Sequence, residues 1–242
     1  MRRFLFRVLF GLLVLPGVAL VMGGCDWFLE DDGGSAVADS EGNVYTVGYD
    51  QVSSINQNPY VRKVDSGGAE IWRVTHDTTP RDSRGIAVAI GPDNTPFVLF
   101  STDGGSNDTG QRFRDRWVTE APFSGAPFGS YGSGGGGKVS IVAQLDSETG
   151  RITHATYLIA RLDGGNTNSF QPRAIAVEGN QVLVEANSAA WPPAAGARQN
   201  AWEKFDPDLF NNETRAGGND LFRVVLPLDL SELSEVIWLD NR

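Results

Sequence analysis

A unit of paired hairpins recurs three times along this chain of 242 residues, and this internal repeat limits the fold more than any other feature. Each copy opens with a short apolar stretch holding an Ala-Val pair, then a turn rich in Gly, Asn or Asp, then a strand-like run. The openings are SAVADSEGNVYTVGYD (35–50), IAVAIGPDNTPFVLFSTD (86–103) and IAVEGNQVLVEANS (175–188). Alternating apolar residues on both sides of such a turn predict a β-hairpin.

A second hairpin follows in each copy, at a variable distance. In each one an apolar strand runs into an aspartate, a turn follows, and a strand containing Trp72, Tyr157 or Trp238 returns. Two hairpins in series predict a four-stranded antiparallel meander, and a unit this small must pack on its neighbours to bury both faces. The three predicted units span residues 35–76, 85–158 and 173–239.

The motifs ADSEGNVYTVG and VRKVDSGGAEIWRV resemble the bacterial β-propeller repeats (SBBP-like), in which D..GN.Y..G alternates with K.D..G...W. The match covers most of residues 35–242 and is best in the first unit. The resemblance implies an all-β, β-propeller-like domain and no defined activity. Because propellers carry about four to eight blades, a small ring, an oligomer or a further blade would have to close it. A β-sandwich built of the same meanders is the structural alternative.

Residues 1–24 have the order of a secretory signal peptide, with three arginines first, an uncharged apolar run at 8–21, and then two glycines. The apolar run is shorter than the roughly 20 residues of a transmembrane helix. Residues 22–25, MGGC, resemble the end of a bacterial lipoprotein signal peptide. The resemblance implies that Cys25 carries the lipid, such as palmitate, and becomes the mature N-terminus. The alternative is a lone buried cysteine in an ordinary signal anchor.

The charge balance limits the partners of the mature chain. Residues 1–24 contain three of the 20 basic residues and none of the 30 acidic ones, so the formal charge changes from −10 to −13 when they are removed. A charge of this sign argues against nucleic acid and against an electrostatic hold on anionic lipid. We therefore expect the lipid to anchor the protein to a membrane of the bacterial cell envelope, through an acidic, glycine-rich tether at 25–34.

Two long connections, 104–137 and 189–220, are predicted to emerge on the same side of the meanders. Loops longer than about 12 to 15 residues are uncommon in compact domains and are often functional. Both combine aromatic residues with arginine, as binding hot spots do. The alternative is that the aromatic residues cover the ends of the sheets. The candidate binding residues are Arg112, Arg114, Arg116, Trp117, Phe123, Phe128, Tyr131, Trp191, Trp202 and Phe205.

The sequence contains no recognisable catalytic constellation, so no catalytic residue is predicted. With only two histidines and one cysteine, the usual zinc sites are disfavoured, and no metal or cofactor is predicted. Calcium is the alternative, through Asp103, Asn107 and Asp108, although their spacing does not fit an EF-hand loop. The predicted function is a binding or assembly scaffold for a protein or glycan partner, with a possible homo-oligomer. A propeller-type hydrolase acting on glycans is the alternative, but no carboxylate pair can be chosen.

Overall fold

The computed structural model describes residues 35–76, 82–103, 124–129, 138–197, 202–208, 210 and 219–240. These residues form four antiparallel sheets, which confirms the predicted all-β class. A 3-10 turn at Pro92–Asn94 connects the strand Ser83–Ile90 to the strand Pro96–Asp103. Within the described ranges, no helix has the length and apolar character needed to cross a bilayer. The finer prediction, that the sheets are arranged like propeller blades, stays a prediction.

Three of the sheets have four strands each, paired in chain order as the repeat predicts. Sheet 1 contains β1 (Ala36–Ala38), β2 (Val44–Ser53), β3 (Asn56–Val64) and β4 (Glu70–Thr75). Sheet 2 contains β5 (Ser83–Ile90), β6 (Pro96–Asp103), β7 (Lys138–Leu145) and β8 (Ile152–Leu158). A small sheet follows, with β9 (Ala160–Arg161) and β10 (Thr167–Asn168). Sheet 3 contains β11 (Phe170–Glu178), β12 (Gln181–Ser188), β13 (Asp220–Pro227) and β14 (Glu235–Trp238).

The aspartates of the repeat shape the turns between strands. Asp65 Oδ1 accepts hydrogen bonds of 2.9 and 2.8 Å from backbone N–H groups two and four residues later. Asp146 accepts two in the same way, at 3.1 and 2.8 Å, and Asp229 accepts one at 3.1 Å. Asp39 does the same in the first hairpin, with two bonds of 2.9 Å. Such side-chain bonds mimic a backbone turn, so these repeated carboxylates have structural roles.

Sheet 2 contacts both of the other large sheets. Its first strand, β5, packs on β1, β2 and β3, and β11 packs in the same manner on β5, β6 and β7. Residues 96–102 of β6 are all buried, whereas burial alternates along β3 and β12. A continuous apolar run is typical of a strand that is covered on both faces, and alternation is typical of one covered on a single face. The hydrophobic core therefore runs through sheet 2.

Two close contacts hold sheet 1 against sheet 2. A Cβ atom at Gly85 would lie 2.9 Å from Val47 Cβ, so the absence of a side chain there allows β5 to approach β2. In addition, Trp72 Nε1 and Lys63 Nζ donate hydrogen bonds of 3.0 and 3.1 Å to the carbonyl oxygen of Ser147, in the turn between β7 and β8. The returning tryptophan of the first repeat therefore joins two sheets.

Candidate functional site

The first long loop is described only at its residues 124–129. Phe128 is buried there, and its carbonyl oxygen accepts a 3.0 Å hydrogen bond from the Tyr157 N–H in β8. Cys25 and the other candidate residues of this loop lie outside the described residues: Arg112, Arg114, Arg116, Trp117, Phe123 and Tyr131.

Of the calcium candidates, only Asp103 is described, since Asn107 and Asp108 lie outside the described ranges. Its carboxylate forms an ion pair with Lys138 on the neighbouring strand. Across the described part of the chain, no three His, Cys, Asp or Glu side chains are grouped so that they could hold a metal ion. Asp103 therefore has a cationic partner on the neighbouring strand.

The aromatic residues of the second long loop point into the protein. Trp191, Phe205 and Phe210 are buried, and Trp202 is half-buried. The ring of Phe210 lies 5.8 Å from that of Trp191, and it also contacts two aromatic rings of sheet 3. We call Trp191, Phe205, Phe210, Phe222 and Trp238 the aromatic cluster. It packs on one face of sheet 3, where Phe205, Phe210 and Phe222 are buried and Trp238 is partly buried.

Two cations tie the second loop to the small sheet. The Arg161 guanidinium lies 5.2 Å from the centre of the Trp202 ring, and Lys204 Nζ lies 4.6 Å from that of Trp191. Lys204 also forms an ion pair with Asp163. Arg161 and Trp191 exchange two backbone hydrogen bonds, of 2.9 and 3.0 Å. Burial lowers the pKa of Arg161, and its place over an aromatic ring partly offsets the cost of desolvation.

Several buried polar atoms border the aromatic cluster. Asp220 is 1% exposed, and among the described residues neither of its carboxylate oxygens has a hydrogen-bond partner. The same holds for Nε1 of Trp202 and of Trp238 and for Nε of Arg161. Buried polar atoms are therefore concentrated at this end of sheet 3.

The β2–β3 hairpin extends past both of its neighbouring strands. β1 reaches only to the level of Thr46 and β4 only to that of Tyr60, whereas β2 and β3 remain paired as far as Ser53 and Asn56. We call residues 49–58 the arm. Among the described residues, no strand pairs with either of its edges, so the arm projects from sheet 1.

The tip of the arm is apolar and exposed. Val52 is 51% exposed and Ile55 is 82% exposed, which makes Ile55 the most exposed large hydrophobic residue of the described chain. Only two other large hydrophobic side chains in the described ranges are exposed to a similar extent, Ile71 at 47% and Leu162 at 45%. The tip of the arm therefore carries two apolar side chains, three positions apart in the sequence, that folding leaves in water.

The base of the arm is fixed to the rest of the domain. The Arg84 guanidinium of β5 lies 5.0 Å from the centre of the Tyr49 ring, and Arg84 Nε donates a hydrogen bond to Gln57 Oε1. Arg73 of β4 donates to both oxygens of Asp50, at 2.7 and 2.8 Å. The base of the arm is therefore bound both to sheet 2, through Arg84, and to sheet 1, through Arg73. Arg73 also neutralises Asp50, which is the one charged residue of the arm.

The chain matches no known protein-family model, and no curated protein is significantly similar to it in sequence.

Proposed function

We propose that this protein is a lipid-anchored component of the bacterial cell envelope that acts as a binding or assembly scaffold through the arm. The observation that carries the proposal is the exposure of Val52 and Ile55 at the tip of a hairpin whose base is held in place. Exposed apolar surface that is contiguous marks interaction sites on proteins, and these two side chains lie at one hairpin tip. A fixed base lowers the entropy lost when the tip binds a partner.

The stacking of the sheets supports a propeller-like arrangement within this proposal. The first strand of sheet 2 packs on three strands of sheet 1, and the first strand of sheet 3 repeats that relation with sheet 2. Successive blades of a propeller are related in this way, by repetition about an axis. We therefore propose that the three large sheets are blades of an incomplete ring and favour this over a β-sandwich.

Two carboxylates, Asp146 and Asp39, favour a scaffold over a glycan hydrolase. Hydrogen bonds from Thr149 lower the pKa of Asp146, against the opposing effect of burial. For Asp39 burial again opposes, but hydrogen bonds from Asn43 and Glu41 lower the pKa. A glycosidase needs one carboxyl group with a raised pKa as its general acid. Asp39 and Asp146 have the opposite property.

The lipid anchor is tested by replacing Cys25. We expect Cys25→Ser to abolish incorporation of labelled palmitate and to move the protein out of the membrane fraction, because no other cysteine is present to accept the lipid. Labelling and fractionation of cells that express each form measure both effects, and wild type provides the control. If Cys25→Ser remains labelled and membrane-bound to the same extent as wild type, the proposed anchor is wrong.

The role of the arm is tested with a photo-crosslinking residue at position 55 of the full chain in native membranes. We expect crosslinked adducts from position 55 and few from position 162, which is also exposed but lies outside the arm. Because a hot-spot side chain contributes about 2 kcal/mol or more, Ile55→Glu should weaken partner binding about thirtyfold. Leu162→Glu is the matched control and should bind as wild type does. Equal adduct yields at the two positions would refute the proposed role.

A further inference from the structure

We infer that the arm binds a second copy of this chain, with two arms packing tip to tip about a two-fold axis. This inference rests on the proposed function of the arm and names its partner. A two-fold interface presents the same surface patch from both chains, so that patch must be complementary to itself. Val52 and Ile55 meet this condition, because apolar side chains pack on identical ones without requiring a charge of opposite sign.

The distribution of charge favours self-association at the arm over other parts of the surface. The whole chain has a formal charge of −10, so two copies repel one another in general. Within the arm, YDQVSSINQN, the single charge of Asp50 is compensated by Arg73. Two arms can therefore approach without like-charge repulsion, and the uncharged Ser and Gln side chains around the tip can form the polar rim of the contact.

The backbone of the arm favours contact through side chains over pairing of strand edges. The pairing register of β2 with β3 shifts between Gln51 and Ser53, which leaves Val52 as an extra residue in β2. Such bulges increase the local twist and protect edges against continuous pairing with another chain. The tips therefore meet through Val52 and Ile55, in a small interface.

A small interface gives weak association in dilute solution. Anchoring both copies in one membrane raises their effective concentration, so a weak contact can be populated there. The proposed lipid at Cys25 would provide that anchoring. We therefore expect the dimer in membranes, and the test keeps the full chain in native membranes.

The test is disulfide formation between two copies that carry Ile55→Cys, under mild oxidation. We expect a covalent species with the mass of two chains, in at least tenfold higher yield than from Leu162→Cys. Wild type controls for any reaction at Cys25. Ile55 is so exposed that its replacement should leave folding intact, and circular dichroism of each variant checks this.

Three results would count against the inference. If Ile55→Cys gives no more two-chain species than Leu162→Cys, while photo-crosslinking at position 55 captures a different protein, the arm is a partner-binding surface but does not bind its own copy. If neither method gives adducts above the Leu162 control, both the dimer and the proposed function of the arm are wrong. A further arm variant, Val52→Cys, should give the same two-chain species if the tips face each other, and its failure would contradict the tip-to-tip arrangement.

Discussion

Replacing Phe210 with alanine is expected to lower the free energy of unfolding by about 3–5 kcal/mol, as for other large-to-small substitutions of buried aromatic residues. Phe210 is completely buried, and its ring lies 5.0 Å from that of Trp238 and 5.1 Å from that of Phe222. Both pairs are close to perpendicular, an arrangement that adds about 0.5–1.5 kcal/mol per pair beyond the area buried. Alanine would remove these contacts and leave a cavity at the centre of the aromatic cluster.

Denaturation by urea, followed by circular dichroism and tryptophan fluorescence, measures this loss. Phe210→Leu provides the matched control, because leucine keeps an apolar side chain in the same place and should lose markedly less stability than alanine. The two probes should report a single transition if the cluster unfolds together with the sheets. A loss below about 1 kcal/mol for Phe210→Ala would show that the cluster is not part of the cooperative core.

The three meanders could be predicted because the information that specifies them is local. Alternation of apolar residues, with Gly, Asn and Asp at the turns, marks the hairpins that form sheets 1, 2 and 3. The repeated aspartates at 65, 146 and 229 likewise fit the turns that they shape. In each large sheet every strand pairs with the next one along the chain, so the pairing follows from the order of the strands in the sequence.

The direction in which the loop aromatic residues point could not be predicted. Tryptophan and phenylalanine are enriched both in binding hot spots and in buried cores. Only tertiary contacts decide between the two, such as the packing of Phe210 between Trp191 and Trp238. A sequence pattern does not contain those contacts, because the partners lie on different strands and loops.

The sequence pattern also does not predict the arm. Its projection depends on how far β2 and β3 extend beyond β1 and β4, and the end of an edge strand has no strong sequence signal. The one available signal is Val52 and Ile55 on either side of two serines, where a hairpin turn ordinarily has polar neighbours.

Trp72, Tyr157 and Trp238 occupy equivalent places in the sequence repeat but different places in the strand pairing of their sheets. Trp72 lies opposite Lys63, Tyr157 opposite Ile141 and Trp238 opposite Phe222, at different levels of their sheets. Register shifts in the last strand pairs of sheets 1 and 2 contribute to this difference. As a result Trp72 joins sheet 1 to sheet 2, whereas Trp238 belongs to the aromatic cluster. A shift of register changes the neighbours of a residue without changing the motif around it.

His76 should make the stability of the protein fall as the pH is lowered from 7 to 4. The side chain is completely buried beside Phe100, with 5.3 Å between ring centres, and burial lowers the pKa of His76 from 6.5 to about 3. The unfolded chain therefore binds a proton at this residue below pH 6.5, while the folded chain does so only near pH 3. Stability contributed by the neutral ring is complete above pH 6.5 and is lost as the pH falls towards 3, by about 3 kcal/mol between pH 7 and pH 4.

Urea denaturation at several pH values measures this dependence, and the comparison of variants isolates His76 from the carboxylates that also titrate near pH 4. In His76→Gln the slope of unfolding free energy against pH should decrease by up to about 1.4 kcal/mol per pH unit between pH 6 and 4, because the substituted side chain cannot bind the proton. The absolute stability of the variant does not enter this comparison, since only the slope is used. Equal slopes in His76→Gln and wild type would mean that His76 accepts a proton as readily in the folded protein as in the unfolded chain, contrary to the effect expected from its burial.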